Sequence, residues 1–307
     1  MHELYSCAAS PELQLHVRAF AQRRMSRDHT EVVEPVPARL EQVLNFEFGI
    51  RPVAQLEGST QSTIHEISVV GPSAYRPFSL RLPGGVESFA IFFQPFAFWQ
   101  LFRLPISTLV NRYYDGCDVL DRETQQLWNR MAETATFAGR VRIAEEYLLR
   151  KVLNSQRNTS IMSAALYMFK AKGALRLEDV AGHLSLGLRQ FERNFLSEIG
   201  LSPKLYSRVA RFQAALDMKI KSSGVRWANL ACELGYHDQM HMIKDFQSLS
   251  GLSPTCLLAR LGDMRPSALT RAATTMTAVA RHEKMNGRNV DWMVPASDEQ
   301  YREWARK

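Results

Sequence analysis

FLSEIGLSP, residues 195–203, returns as FQSLSGLSP at residues 246–254, so that Phe195 and Gly200 to Pro203 recur 51 positions later as Phe246 and Gly251 to Pro254. A glycine able to close a helix in the left-handed conformation, then a serine N-cap, then a proline in the first turn is how one helix stops and another starts. Each copy follows a second matched stretch, LEDVAGHLSLGLRQFERNF (177–195) and WANLACELGYHDQMHMIKDF (227–246). In the first, Leu177, Val180, Ala181 and Leu184 form the inner face of a supporting helix, Ser185 to Gly187 the turn, and Leu188, Phe191 and Phe195 the inner face of a second helix. In the second, Trp227, Leu230, Ala231 and Leu234, then Gly235, then Met242, Phe246 and Leu249 fill the same roles. A helix-turn-helix needs a small residue where its helices cross and a turn that tolerates unusual backbone angles, which Ala181 with Gly187, and Ala231 with Gly235, are expected to supply.

The opposite faces of the two second helices carry the chemistry. At 100° per residue, Arg189, Gln190, Arg193 and Ser197 point away from the Phe191/Phe195 stripe, and Met240, His241, Lys244 and Ser248 away from the Met242/Phe246 stripe. Arginine bonds guanine in bidentate fashion and glutamine bonds adenine, which is the donor pattern that major-groove readout requires. Between the units, Pro203 to Lys221 reads as one helix, about 28 Å long, a spacer suited to holding two reading helices about one DNA turn apart. Lys204, Arg208 and Arg211 on it are candidate phosphate contacts, which set register without reading sequence.

The charge distribution agrees. The net charge of +7 is concentrated in residues 156–262, with 14 Lys+Arg against 8 Asp+Glu, whereas residues 1–155 hold 16 against 17 and residues 263–307 hold 8 against 6. Such a local basic excess suits a polyanion. Upstream, short runs at Val43–Phe48, Glu66–Val70, Phe78–Leu82 and Val86–Phe93, punctuated by Pro and Gly, predict a small antiparallel sheet or half-barrel. Helical periodicity begins after Pro95 and continues in two amphipathic segments at about 121–134 and 137–153, expected to close this first part. The polar run NSQRNTS suggests a linker. The expected plan is α+β: a sensor domain over 1–153, a linker at 154–160, an all-α tandem helix-turn-helix domain over 161–262, and a basic tail over 263–307, expected to be partly disordered, in which Trp292 and Trp304 are candidate docking residues. The aromatic cluster of Phe89, Phe92, Phe93, Phe96, Phe98, Trp99 and Phe102 is read as core more readily than as pocket.

Taken together, R-x-F-x4-G-L-S-P-x-x-Y (Arg193 to Tyr206), Arg211, Ala214 and Ala215, then W-x-x-L-A-x3-G-Y-x-D-Q-x-H (Trp227 to His241), Asp245, Phe246 and Gly251 to Pro254 resemble the AraC/XylS family of bacterial transcription regulators. The resemblance covers residues 160–261, with departures at Met240, Met242, Leu257 and Leu258. It implies base contacts from Arg189, Gln190 and Arg193 in one groove of double-stranded promoter DNA and from Gln239, Met240, His241 and Lys244 in the next. Activation, RNA polymerase as partner and an effector or protein partner at the first domain are further implications, with a homodimer left open. VGPSAYRPFSL, FAIFFQP and LFRLP resemble, more weakly, the cupin-like sensor domains of that family.

Other classes find less support. GxSxG, Walker, GxGxxG and HExxH signatures are absent. His237 and His241 lack a third ligand nearby, and His65-Glu66 lacks the second histidine of a metal-binding cupin, so no metal or cofactor is expected. The alternative is a DNA-modifying or repair enzyme on the same double module, which would need a reactive Cys7 or Cys117. The four cysteines form no CxxC pair, and neither an export signal nor a membrane span is read, which fits a reducing cytoplasm.

Overall fold

The computed structural model describes residues 2–56, 61–74, 78–261, 284–285 and 288–289. The expected tail, with Trp292 and Trp304, lies outside the described residues apart from two short paired strands. In chain order the first part contains β1 (His2–Cys7), β2 (Val17–Met25), β3 (Val32–Val36), β4 (Val43–Glu47), β5 (Val53–Leu56), β6 (Gln61–Thr63), β7 (Ile67–Val70), β8 (Phe78–Leu82) and β9 (Glu87–Phe93), then α1 (Ala97–Phe102), α2 (Ile106–Leu109), β10 (Tyr113–Asp115), α3 (Gly116–Val119), α4 (Arg122–Ala132) and α5 (Phe137–Val152). The second part is helical: α6 (Ser160–Lys170), α7 (Leu177–His183), α8 (Leu188–Ile199), α9 (Pro203–Lys221), α10 (Trp227–Glu233), α11 (Gln239–Ser250) and α12 (Pro254–Leu261). The tail pairs are β11 (Lys284–Met285) and β12 (Arg288–Asn289).

Two antiparallel sheets make the first part, ordered β1-β2-β9-β4-β7-β10 and β3-β8-β5-β6. The larger sheet uses the two-residue period of its strands to serve two interiors. Phe20, Leu44, Phe46, Ile67, Val69, Phe89, Ile91 and Phe93 face α1, α4 and α5 in one apolar core, while Ala21, Val43, Asn45, Glu47, Ser68, Ser88 and Phe92 face the smaller sheet across a cavity. Of the predicted aromatic cluster, Phe89, Phe93 and Phe98 are core, Phe96 stacks on Tyr206 of α9 at 6.3 Å, and Phe92 lines the cavity.

The two parts share a core. Ala38, Leu40, Ala74, Phe96 and Ile106 join the same apolar cluster as Phe191, Phe195, Tyr206, Phe212 and Phe246. Ala38 N donates to the Leu249 carbonyl at the end of α11 (2.9 Å). Gly200, ending α8 at φ 76°, packs so closely on α2 that an added Cβ would lie 2.7 Å from Ser107 Cα. A polar seam runs beside these contacts. Arg18 of β2 pairs with Glu41 and, at 3.0 Å, with Asp217 of α9, and Gln213 donates to Glu41 (2.6 Å) while accepting from Leu40 N (3.0 Å).

Removing one member of a buried ion group leaves its partners charged and out of water. Arg18→Ala is expected to destabilise the protein by about 3 to 5 kcal/mol in urea melts, whereas Arg130→Ala, which breaks an exposed pair with Glu146, is expected to cost less than about 1 kcal/mol.

Candidate nucleic-acid interface

Each helix pair is built as the sequence demands, except that Leu188, expected on the inner face of α8, is exposed. Val180 and Ala181 of α7 and Leu230 and Ala231 of α10 are buried at the crossings, against Phe191 and Phe195 and against Met242 and Phe246 respectively. The turns are superimposable in hydrogen bonding: Leu186 N donates to the Ala181 carbonyl (3.0 Å) and Tyr236 N to the Ala231 carbonyl (2.9 Å). The supporting helices are thus 50 residues apart, although the C-terminal repeats are 51 apart, because the second turn holds one extra residue before its reading helix.

That insertion corrects one expectation. The left-handed residue of the first turn is Ser185, at φ 56°, matching Gly235 at φ 69°; Gly187 has an ordinary φ of −68° and precedes α8 as its N-cap. The second unit replaces that bare cap with Asp238, whose carboxylate accepts from His241 N (2.6 Å) and is held below the usual carboxylate range by that bond and by His237. Both reading helices end at left-handed glycines, Gly200 and Gly251, and Ser202 caps α9 by accepting from Leu205 N at 3.3 Å.

Arg189, Gln190, Arg193 and Ser197 are exposed on α8, and Gln239, Met240, His241, Lys244 and Ser248 on α11. The opposite stripes, Phe191 and Phe195 and Met242 and Phe246, have essentially no exposed surface. The spacer α9 runs from Pro203 to Lys221 as predicted. Its basic residues divide into two kinds. Lys204 is exposed, and with Ser202, Arg208 and Ser248 it lines a pocket of about 260 Å³ beside the N-terminus of α9, where the helix dipole is positive. Arg208, expected at the phosphates, directs Nε and Nη2 to Oδ1 of Asp245 at 2.9 and 2.8 Å, tying α9 to α11. Arg211 likewise turns inward, with Nη2 on the Gly173 carbonyl (2.9 Å) and the guanidinium over the Tyr236 ring. Both partners are distant in sequence, so no local pattern announces these ties.

The sequence gives no sign of the second site, the cavity of about 290 Å³ between the two sheets, walled on one side by Phe212, Gln213 and Leu216 of α9. Its polar lining falls into separate groups. Arg23 pairs with Glu34 (2.8 Å), and Arg18 belongs to the seam with α9. Glu47 accepts from Asn45 Nδ2 and Ser88 Oγ, both at 2.7 Å, yet burial pushes its carboxyl up to about 7. Arg39 is partly buried at the cavity wall, where desolvation lowers its guanidinium to about 10, and it has no carboxylate partner among the described residues. The thiols that an enzyme reading would need are turned the wrong way: burial raises Cys7, and slight burial with the nearby Asp115 raises Cys117, both away from the reactive thiolate.

Two exposed reading helices on a rigid tandem scaffold define a helix-turn-helix DNA-binding protein. Residues 180–260 match a helix-turn-helix domain family, and the chain is a DNA-binding transcription regulator carrying that domain. No curated protein matches the sequence significantly. Among solved structures, the apo form of a lysine-to-alanine variant of ToxT from Vibrio cholerae is similar with a TM-score of 0.50 and 8% identity, covering 83% of this chain and 100% of that one. Wild-type ToxT from the same organism, bound to unsaturated fatty acid, gives a TM-score of 0.47 at 10% identity, covering 86% and 96%. At such identity the likeness is one of fold, a β-rich part followed by a helix-turn-helix part. Among the described residues, no helix is long and apolar enough to cross a membrane.

Two expectations follow. Gly235→Ala forces a side chain into the left-handed region and is expected to cost about 1 kcal/mol in thermal melts, while Gly182→Ala, inside α7 with open space around it, is expected to be neutral or slightly stabilising. Glu47 ionises near 4.5 in the unfolded chain and near 7 in the folded one, so its contribution is fully present below pH 4.5 and is lost as the pH rises toward 7. Glu47→Gln is expected to remove that slope and to exceed the parent in stability at pH 8 by up to about 3 kcal/mol, as read from urea melts at pH 5, 7 and 8.

Proposed function

We propose that the protein reads double-stranded promoter DNA with α8 and α11 in two successive major grooves, and that a small-molecule effector in the inter-sheet cavity modulates that engagement. The observation that carries the DNA reading is the pair of donor-rich faces, Arg189, Gln190 and Arg193 on α8 and Gln239, Met240, His241 and Lys244 on α11, both exposed while their apolar stripes are fully buried. Lys204 and the N-terminus of α9 supply a phosphate contact between the two grooves, and Arg208 contributes there chiefly by fixing α9 against α11. The effector reading is supported by the shared wall: Phe212, Gln213 and Leu216 line the cavity from the helix that joins the two reading units, so a ligand touching them touches the spacer itself. ToxT, of similar fold, has been seen with an unsaturated fatty acid bound.

The protein acts in the cytoplasm as an activator that touches RNA polymerase, in this reading, and α4 with α5 offers a surface for a homodimer. In this reading residues 1–153 act as a sensor domain, residues 154–160 as a linker and residues 161–262 as a DNA-binding domain. Leu149 and Leu153 at the end of α5 are exposed apolar residues that support the dimer surface.

Selection of bound sequences from random DNA followed by footprinting tests the reading, with two protected tracts about 10 bp apart on one face of the duplex as the expected result. No enriched sequence would sink it. On the selected site Arg193→Ala is expected to lose about 1 to 3 kcal/mol while sparing nonspecific affinity, and Lys204→Ala to weaken all sequences alike and flatten the salt dependence.

A further inference from the structure

Arg39 and Glu47 stand in the same cavity with opposite formal charges, and neither has an ion-pair partner among the described residues. Of the other charged groups there, Arg23 pairs with Glu34, Arg18 pairs with Glu41 and Asp217, and the exposed Arg112 donates to the Tyr114 hydroxyl at the rim. Arg39 and Glu47 do not lie side by side. Arg39 bridges Ser73 beyond the end of the β4–β7 ladder, on the side where Leu40 meets Gln213 of α9, and Glu47 closes the opposite end of β4. Strands rise about 3.3 Å per residue, so Val43 and Glu47 alone are about 13 Å apart along the wall. The lining between them is largely apolar, with Val43, Ala90 and Phe92 from the larger sheet.

We propose that the cavity binds an amphoteric small molecule, its carboxylate on Arg39, its protonated amine on the Asn45–Glu47–Ser88 group, and an apolar span of on the order of 10 to 15 Å between them. The proposal rests on the effector reading above and specifies its chemistry. A partly desolvated guanidinium gains most from a bidentate carboxylate, because that geometry matches two of its N–H groups at once. The Glu47 oxygens already accept from Asn45 and Ser88, which fixes the carboxyl in place, and each oxygen retains a lone pair for a further donor. An arriving ammonium would favour the ionised carboxylate there. A simple fatty acid answers only half of this site: its methyl end would be pressed against a polar group that gains nothing from it.

The test uses the full-length protein and a series of ω-amino acids from 6-aminohexanoate to 12-aminododecanoate, each compared with the monocarboxylate and the primary amine of the same length, by thermal shift and calorimetric titration. One length of ω-amino acid is expected to raise Tm most and to bind at least tenfold tighter than either single-headed compound. Glu47→Gln is expected to erase the advantage over the monocarboxylate, and Arg39→Gln the advantage over the amine. Monocarboxylates binding as tightly as the ω-amino acids would overturn the amphoteric class and leave the effector cavity standing. Absence of binding by every compound to the unsubstituted protein would overturn both, and this comparison needs no variant to fold.

Discussion

Arg18 leaves the central sheet, enters an interior that excludes water and there meets Glu41 on the chain leading into β4 and Asp217 on α9. Three ionised groups buried together are stable only while all three hold their positions, because any one removed leaves the others without compensation. The seam therefore constrains the register of the sheet against the spacer helix more tightly than apolar packing would, since apolar contacts can slide. Gln213 extends the constraint by bonding both Glu41 and the Leu40 backbone. Every other relation between the β-rich part and the reading helices is built beside this fixed point.

From that point the molecule divides its larger sheet between two tasks. One face is sealed by α1, α4 and α5 over phenylalanine, leucine and isoleucine, which provides stability. The other carries Asn45, Glu47, Ser68 and Ser88 into the cavity, where their desolvation is a cost that the first face must offset. A strand period of two makes the division possible, since neighbouring residues on β4 and β9 belong to different interiors.

The helical part was legible because its signals are local. Gly-Leu-Ser-Pro ends one helix and caps the next through atoms a few residues apart, so the bounds of α9 and the exposed faces of α8 and α11 follow from spacing. Ser185 was missed as the left-handed residue because Gly187 looked the better candidate, and only the hydrogen bonds to Ala181 and Ala231 reveal which positions correspond. Phe78–Leu82 reads as a strand and is one, yet β2 was not recognised: Arg18, Gln22 and Arg23 point inward and spoil the apolar alternation. Arg208 has the same difficulty. Its carboxylate partner, Asp245, is on another helix, so in sequence it looks like a free cation. The cavity was illegible for the strongest version of this reason, being assembled from strands and a helix that no window of sequence contains together.

Gly200 closes α8 and Leu249 lies in the last turn of α11, and each abuts the β-rich part, one against Ser107 and the other through the amide of Ala38. The distance and tilt between α8 and α11 are thus gauged from outside the segment that carries them, as the jaws of a caliper are gauged by its beam. Variation in the loops around Ala38 and Ser107 would then shift the half-site spacing that the protein accepts while leaving the base preference of each helix untouched. Under the proposed reading, binding-site geometry and binding-site sequence become separable traits, encoded in different halves of the chain.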